Sequence, residues 1–581
     1  ALLNLLLLAL LIAGLWAMVQ ALRPVIEPKT ALVLDLAGTV VEQRAGGLRD
    51  SALKHLSEGS DGATRLRDVI AVLDAAAKDD QVPHALLMLD DFAGAGLPTL
   101  REIAAAIERF KAAGKPVYAW GSSFDQRQYY LAAHATEVWL HPMGMVYVEG
   151  YGRWRNYYKD LLDRVGVTAH VLRVGKFKSF AEPWSANAPS QEALQAEGVL
   201  YGSLWQSWTD GVEKARRLPA GSVAQAIESL PGSLQAAGGN PARWALERKW
   251  VDALKTRDEV RALLIERGAK HDDGQTFRQV SLGRYLGSLK PARGGDAVGV
   301  IVAQGEISDG REPAGRVGGL STAELVRQAR EDDDIKAVVL RVNSPGGSAF
   351  GSELVRRELE LTRAAGKPVV VSMGDVAASG GYWIAMAADE VIADEATITG
   401  SIGVVALLPT AEGAMDKLGV RTGGVATTWL AGAYDPRRAF DPRLGQLVQS
   451  IIDRAYLDFT TLAAKARQTT QARIDEVGQG RVWSGRQALE NGLVDRNGGL
   501  GDALVAAAQR AQLPEGHRVR YLEAESGRLQ RLLQDFGARV GAVMGAAIGQ
   551  PLSLPAAWLA LGGVPPVAAA AVHDLGWLAE L

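Results

Sequence analysis

The chain carries one pattern twice at a nearly constant offset, and this limits it to a duplicated fold. Gly114-Lys115-Pro116 and Gly366-Lys367-Pro368 each open a segment that passes through an aromatic pair into an Ala-rich stretch ending in Glu-Val. Tyr129-Tyr130 answers Tyr382-Trp383 at an offset of 253, and the same offset carries Leu162–Val167 onto Met415–Val420. The two copies have kept different chemistry. Ser379, in Ala-Ala-Ser-Gly-Gly, falls opposite Gln126, whereas Lys178, in Val-Gly-Lys-Phe-Lys-Ser-Phe, falls opposite Ala431. One copy holds a candidate nucleophile and the other a candidate base. Such complementary loss points to one Ser–Lys site assembled from two halves.

Each repeat begins with a β-rich run ending in a Gly turn (31–41 and 297–307), followed by an amphipathic helix (64–78 and 321–332). An apolar strand comes next (84–89 and 335–342), then a helix leading to the Gly-Lys-Pro-Val strand. Strands alternating with helices over short connections predict α/β architecture with largely parallel pairing. With 581 residues, 48% of them hydrophobic, the chain can bury more than one core. Leu289–Ala297 has linker composition. Residues 190–285 read as a charged, mostly helical insertion with a less regular counterpart near 436–480. The expected division is an anchor over 1–26, a lysine-bearing repeat over 27–288, a serine-bearing repeat over 289–520 and an apolar tail over 521–581.

A formal net charge of −3 gives no footing for nucleic-acid binding, and the absence of cysteine excludes disulfides, thiol nucleophiles and zinc–thiolate sites. Ala1–Leu22 has no charged residue. As a helix it would span about 33 Å against a hydrocarbon core of ~30 Å, so it reads as an uncleaved transmembrane anchor. Val540–Val572 is also free of charge but is broken by Pro551, Pro555, Pro565 and Pro566. It reads as a tail packed on protein, with a membrane-surface contact as the alternative.

In the second repeat a strand runs into Asn343-Ser344-Pro345-Gly346-Gly347-Ser348, a turn whose backbone N–H groups can face a ligand with no Cβ in the way. The next strand leads to Ser379 at the start of a helix, among small neighbours and near the positive end of the helix dipole. The amides of Gly347 and Gly380 are candidates for an oxyanion hole. Singly, these features are also ordinary tight packing. A serine needs a base. No histidine lies between His271 and His517, the span that holds Ser379. A lysine serves if it is desolvated, because burial disfavours its charged form. Lys178, near Phe177, Phe180 and Trp184, is the candidate, Lys176 is its rival, and the plain alternative for either is a solvated surface charge. Ser401, in Thr-Gly-Ser-Ile-Gly, is either a hydrogen-bond partner of the lysine or a satisfied turn serine.

Together, NSPGGS, GDVAASGGYW, TGSIGV and RVGKFKSFAEPW resemble the signal peptide peptidase A family in its long double-repeat form, over about residues 1–520. The resemblance implies tandem ClpP/crotonase-like repeats. It also implies Ser379 as nucleophile, Lys178 as general base, Ser401 as the serine assisting the lysine, and Gly347 and Gly380 as oxyanion donors. It implies cleavage of signal peptides and other hydrophobic peptides, and a tetramer on the outer, periplasmic face of the bacterial cytoplasmic membrane. No cofactor or metal is called for. Apolar pockets are expected around Lys178 and from Tyr382, Trp383 and Ile384. Two other classes compete: a crotonase-like acyl-CoA enzyme, for which Asp375 would be the acidic group, and a membrane scaffold with a vestigial site.

Overall fold

The computed structural model describes residues 26–45, 63–289 and 294–523. The expected anchor over 1–22 and the apolar tail from 524 onward lie outside the described residues. Among the described residues no helix is long and apolar enough to cross a membrane. The chain divides into two compact units, one holding residues up to 149 and 211–293, the other holding 150–210 and 294–523.

In the first unit a six-stranded parallel sheet runs in the order Gln279–Ser281, Ala31–Asp35, Ala85–Met88, Val117–Gly121, Glu137–Leu140, Ala253–Leu254. In the second, six strands of an eight-stranded sheet repeat that order: Arg518–Leu522, Ala297–Gln304, Ile335–Ser344, Val369–Ala378, Glu390–Ala393, Arg496–Asn497. Both sheets are covered on two faces, so their strands are near-continuous apolar runs; the first seven residues of Ala297–Gln304 are all buried. Helices supply the cover. Leu66, Val69, Val72, Leu73 and Ala76 form the buried stripe of the helix Leu66–Ala76, at the spacing of one helical face. Ser348 caps the helix Ala349–Ala364, its hydroxyl accepting from the Gly351 N–H at 3.1 Å.

The duplication persists in buried polar contacts. Tyr129 donates to the Trp250 carbonyl and Tyr382 to the Leu493 carbonyl, each at 2.8 Å. Asp252 accepts from the Val138 N–H and from Arg216, as Asp495 does from the Val391 N–H and from Arg467. The counterpart near 436–480 is more regular than its sequence indicates: Pro442–Ala466 is a 25-residue helix, matching the 26 residues of Gln191–Arg216. The insertion is also less separate than expected. Its strands Ala253–Leu254 and Gln279–Ser281 form the two edges of the first sheet, because residues too few to show a periodic pattern still complete a hydrogen-bonded ladder.

One difference between the sheets prepares the site. Val117–Gly121 has five residues, but Val369–Ala378 has ten. Its first half pairs with Glu390–Ala393 and its second half with Ile398–Gly400, which in turn pairs antiparallel with Val482–Ser484. The lysine segment also belongs here. Thr168–Val174 pairs antiparallel with Val404–Thr410, and Leu172 and Val174 pack against the cluster of Leu444, Val448 and Ile452.

Tyr382 lies in the core of this unit with its hydroxyl fully enclosed. Tyr382→Phe strands the Leu493 carbonyl without its donor and is expected to cost about 1–3 kcal/mol, read as a lowered denaturation midpoint. An unchanged midpoint would show that the repeated tyrosine contact does not support the fold.

Candidate active site

Ser379 sits at the turn between the strand Val369–Ala378 and the helix Gly380–Ala385, with φ 54° and ψ −117°. That conformation is costly for a residue with a Cβ and needs support from its surroundings. The Ser379 N–H donates to the Gly400 carbonyl at 2.9 Å, and its carbonyl accepts from Trp383 N at 2.9 Å. The Gly346-Gly347 turn packs directly against it. Gly346 has φ +109°, and a Cβ there would stand 2.7 Å from the Gly380 nitrogen and 2.8 Å from the Ser379 Cβ. Gly347 has φ +143° and is exposed, while Gly380, as first residue of its helix, has an N–H with no intrahelical acceptor. The two glycine turns are thus brought together beside the serine hydroxyl.

Lys178 follows the strand Thr168–Val174 through Gly175, whose φ of +112° turns the chain. Its side chain is buried, and the amine lies 3.2 Å from Ser379 Oγ, 2.9 Å from Ser401 Oγ and 3.0 Å from the Ser401 carbonyl. Burial lowers its pKa to about 8, since a desolvated ammonium loses hydration that these neutral acceptors replace only in part. Lys176 instead is exposed, with its amine over the Phe177 ring at 5.1 Å. Ser401 also has positive φ, 53°, and its N–H donates to the Arg481 carbonyl at 2.7 Å.

Ser379, Lys178 and Ser401 therefore meet within one compact unit, although the lysine precedes the second repeat in sequence. The apolar residues after Ser379 do not line an open pocket, contrary to expectation. Tyr382, Trp383 and Ile384 are core residues, and Trp383 packs on Phe459 with ring centroids 4.7 Å apart. They are buried because a helix starting at Ser379 turns its apolar face onto the sheet. The counterpart in the first unit is filled. Gly94 keeps a φ of +130°, but the Arg127 side chain occupies the space where its Cβ would lie, and Gln126 accepts from the Glu149 N–H. Ala431, opposite Lys178, lies in an exposed turn. The loop Gly478–Arg481 bonds to both the lysine and the Ser401 turns, and its one mark in the sequence is a Gly-x-Gly between a helix and a strand.

The model of the family described as Peptidase family S49 matches residues 109–270 and 362–514, together more than half of the chain. "Protease 4" of Salmonella typhi is 39% identical over 530 residues, covering 90% of this chain and 85% of that protein. "Protease 4" of Haemophilus influenzae is 38% identical over 490 residues, covering 82% and 78%. "Serine protease SPPA, chloroplastic" of Arabidopsis thaliana is 31% identical over 478 residues, covering 80% and 69%. The family model matches once in each repeat and the relatives align along most of both chains, so the chain belongs to peptidase family S49.

Proposed function

We propose that this chain is a membrane-anchored serine endopeptidase that uses a Ser379–Lys178 dyad on hydrophobic peptides, among them cleaved signal peptides. The observation that carries the reading is a single buried amine bonded to the hydroxyls of both Ser379 and Ser401. In its neutral form, Lys178 takes the proton of Ser379 Oγ as that oxygen bonds to the scissile carbonyl carbon. The amides of Gly347 and Gly380 stabilise the oxyanion that forms. Lys178 then passes its proton to the leaving nitrogen as the C–N bond breaks, leaving an ester on Ser379. A water deprotonated by the same amine attacks that ester, the acyl C–Oγ bond breaks, and the lysine returns the proton to Ser379 Oγ. Ser401 holds the amine in place, so that its lone pair faces Ser379.

Ser379→Ala and Lys178→Ala are each expected to lose peptidase activity, whereas Lys176→Ala keeps most of it. Lys178→Arg is expected to be inactive, because guanidinium does not give up a proton in this range. Below a pH of about 8 the lysine is protonated and cannot accept the serine proton, so kcat/KM falls as pH drops and levels off above it. A flat profile through this range, or an active Lys178→Ala, would overturn the dyad.

The charge-free segment 1–22 supports anchoring in a membrane. The outer face of a bacterial cytoplasmic membrane, where signal peptides remain after cleavage, is what the family resemblance implies. Protein lacking residues 1–22 is expected to stay active and to cut a detergent-solubilised signal peptide in preference to a charged peptide of equal length. Preference for the charged peptide would defeat the substrate assignment.

A homo-oligomer, a tetramer by family resemblance, is supported by the repeat itself. The counterparts of the paired strands Thr168–Val174 and Val404–Thr410, at the offset of 253, are 421–427 and 151–157, and neither forms a strand. Residues 421–427 are wholly exposed, with Val425 at 103%. Joining 421–427 of one copy to 151–157 of the next would repeat the pairing around a ring. Val425→Asp is expected to shift sedimentation toward smaller species, and a wild-type chain that sediments as a monomer would exclude the ring.

A further inference from the structure

The loop Gly478–Arg481 touches both sides of the site, although the mechanism assigns it no step. It joins the helix Gln471–Val477 to the strand Val482–Ser484. Toward the lysine, the Gln479 carbonyl accepts from Phe177 N at 2.8 Å, and its side-chain oxygen accepts from Lys176 N at 3.3 Å. Toward Ser401, Gly480 N donates to the Ile402 carbonyl and the Arg481 carbonyl accepts from Ser401 N, both at 2.7 Å. Gly480 has φ +76°, and a Cβ there would stand 2.7 Å from both the backbone nitrogen and the Cβ of Lys178. Gly403 and Gly175 make comparable approaches, at 2.8 Å to Gly480 Cα and 2.6 Å to the Gln479 carbonyl carbon.

We propose that Gly478–Arg481 is a positioning loop that fixes the distance between the Lys178 amine and the two serines; the proposal rests on the Ser–Lys reading above. Lys178 reaches Ser379 from a segment that is remote in sequence, so something must set its backbone relative to the Ser401 turn. This loop does so through backbone groups, which hold position more rigidly than side chains. Gln479 itself has φ 53°, an unfavourable conformation for its type. It is held from below: Gln479 N donates to Tyr456 Oη at 3.3 Å, and Tyr456 Oη and Gln479 Nε2 both donate to Asp475 Oδ1 at 2.5 Å. Helix Pro442–Ala466 thereby supports the loop through Tyr456. Arg173 bonds the Lys178 carbonyl and Glu182, while Lys176 and Arg481 lie over the Phe177 ring, with Arg481 also over Trp483. Burial alone shifts the amine, so its titration reports how deeply it is seated.

The test compares pH–rate profiles and the split between kcat and KM for Gly480→Ala, Tyr456→Phe and Tyr382→Phe, with Lys178→Ala alongside. A misplacement of about 1 Å can cost roughly 100-fold in rate. Gly480→Ala is therefore expected to lower kcat at neutral pH by about that factor with KM little changed. Its acid limb should move upward as the amine is resolvated, recovering part of the loss in alkali. Tyr456→Phe, which keeps the ring and removes the hydroxyl, is expected to move the same limb the same way by less, and decides the matter should Gly480→Ala fail to fold. Tyr382→Phe, which weakens the same unit without touching this loop, is expected to leave the acid limb where it is in the parent. Parental profiles in both loop-directed variants, with Lys178→Ala inactive, would overturn the positioning role alone. An active Lys178→Ala would instead remove the Ser–Lys reading beneath it.

Discussion

The site depends on keeping one lysine amine out of water. In solution an ammonium is strongly hydrated and holds its proton far above neutrality. Lys178 is buried, its three hydrogen-bond partners are neutral serine oxygens, and its pKa falls to about 8. A carboxylate beside it would have restored the charged form. The groups that can accept from the amine while leaving it easy to deprotonate are hydroxyls and carbonyls, and Ser379 and Ser401 provide them. The chemistry open to this site therefore follows from what surrounds the lysine as much as from the serine.

The fold meets that requirement by lengthening one strand. Val369–Ala378 continues past the point where Val117–Gly121 stops, and its extra half pairs with Ile398–Gly400, which in turn pairs with Val482–Ser484. The turns that follow or precede these strands carry Ser379, Ser401 and Arg481. Glycines at Gly346, Gly175 and Gly480 let the turns approach to distances that a Cβ would forbid. Three of the non-glycine residues with positive φ, Ser379, Ser401 and Gln479, meet in this one place. In the first unit the same topology survives without the extension, and Arg127 fills the corresponding turn.

Duplication explains why such divergence is tolerated. Both units keep the contacts that hold the sheet: the buried tyrosine to a carbonyl, and the aspartate that receives a strand N–H and an arginine. These contacts serve packing in each copy and are retained in each. On the proposed Ser–Lys reading the serine and the lysine serve chemistry, and one of each is sufficient once the lysine segment pairs with Val404–Thr410.

The sequence by itself determined the repeat, the alternation of parallel strands with helices, and the residue types at Ser379, Lys178, Ser401, Gly347 and Gly380, because these are local patterns or comparisons at a fixed offset. It favoured Lys178 over Lys176 only through the repeat comparison and the family resemblance, because two residues in one loop share a sequence environment and differ only in where the loop aims them; the fold buries Lys178 and leaves Lys176 exposed. It misassigned Tyr382, Trp383 and Ile384 to a pocket, because an apolar run after a nucleophile reads the same whether it faces substrate or core. The edge strands Ala253–Leu254 and Arg496–Asn497 have two residues each, too few to show a period. Only the tertiary structure decided that the lysine segment joins the unit holding Ser379, and that Gly478–Arg481 binds the two turns together. Both depend on hydrogen bonds between residues far apart in the chain, which no local pattern encodes.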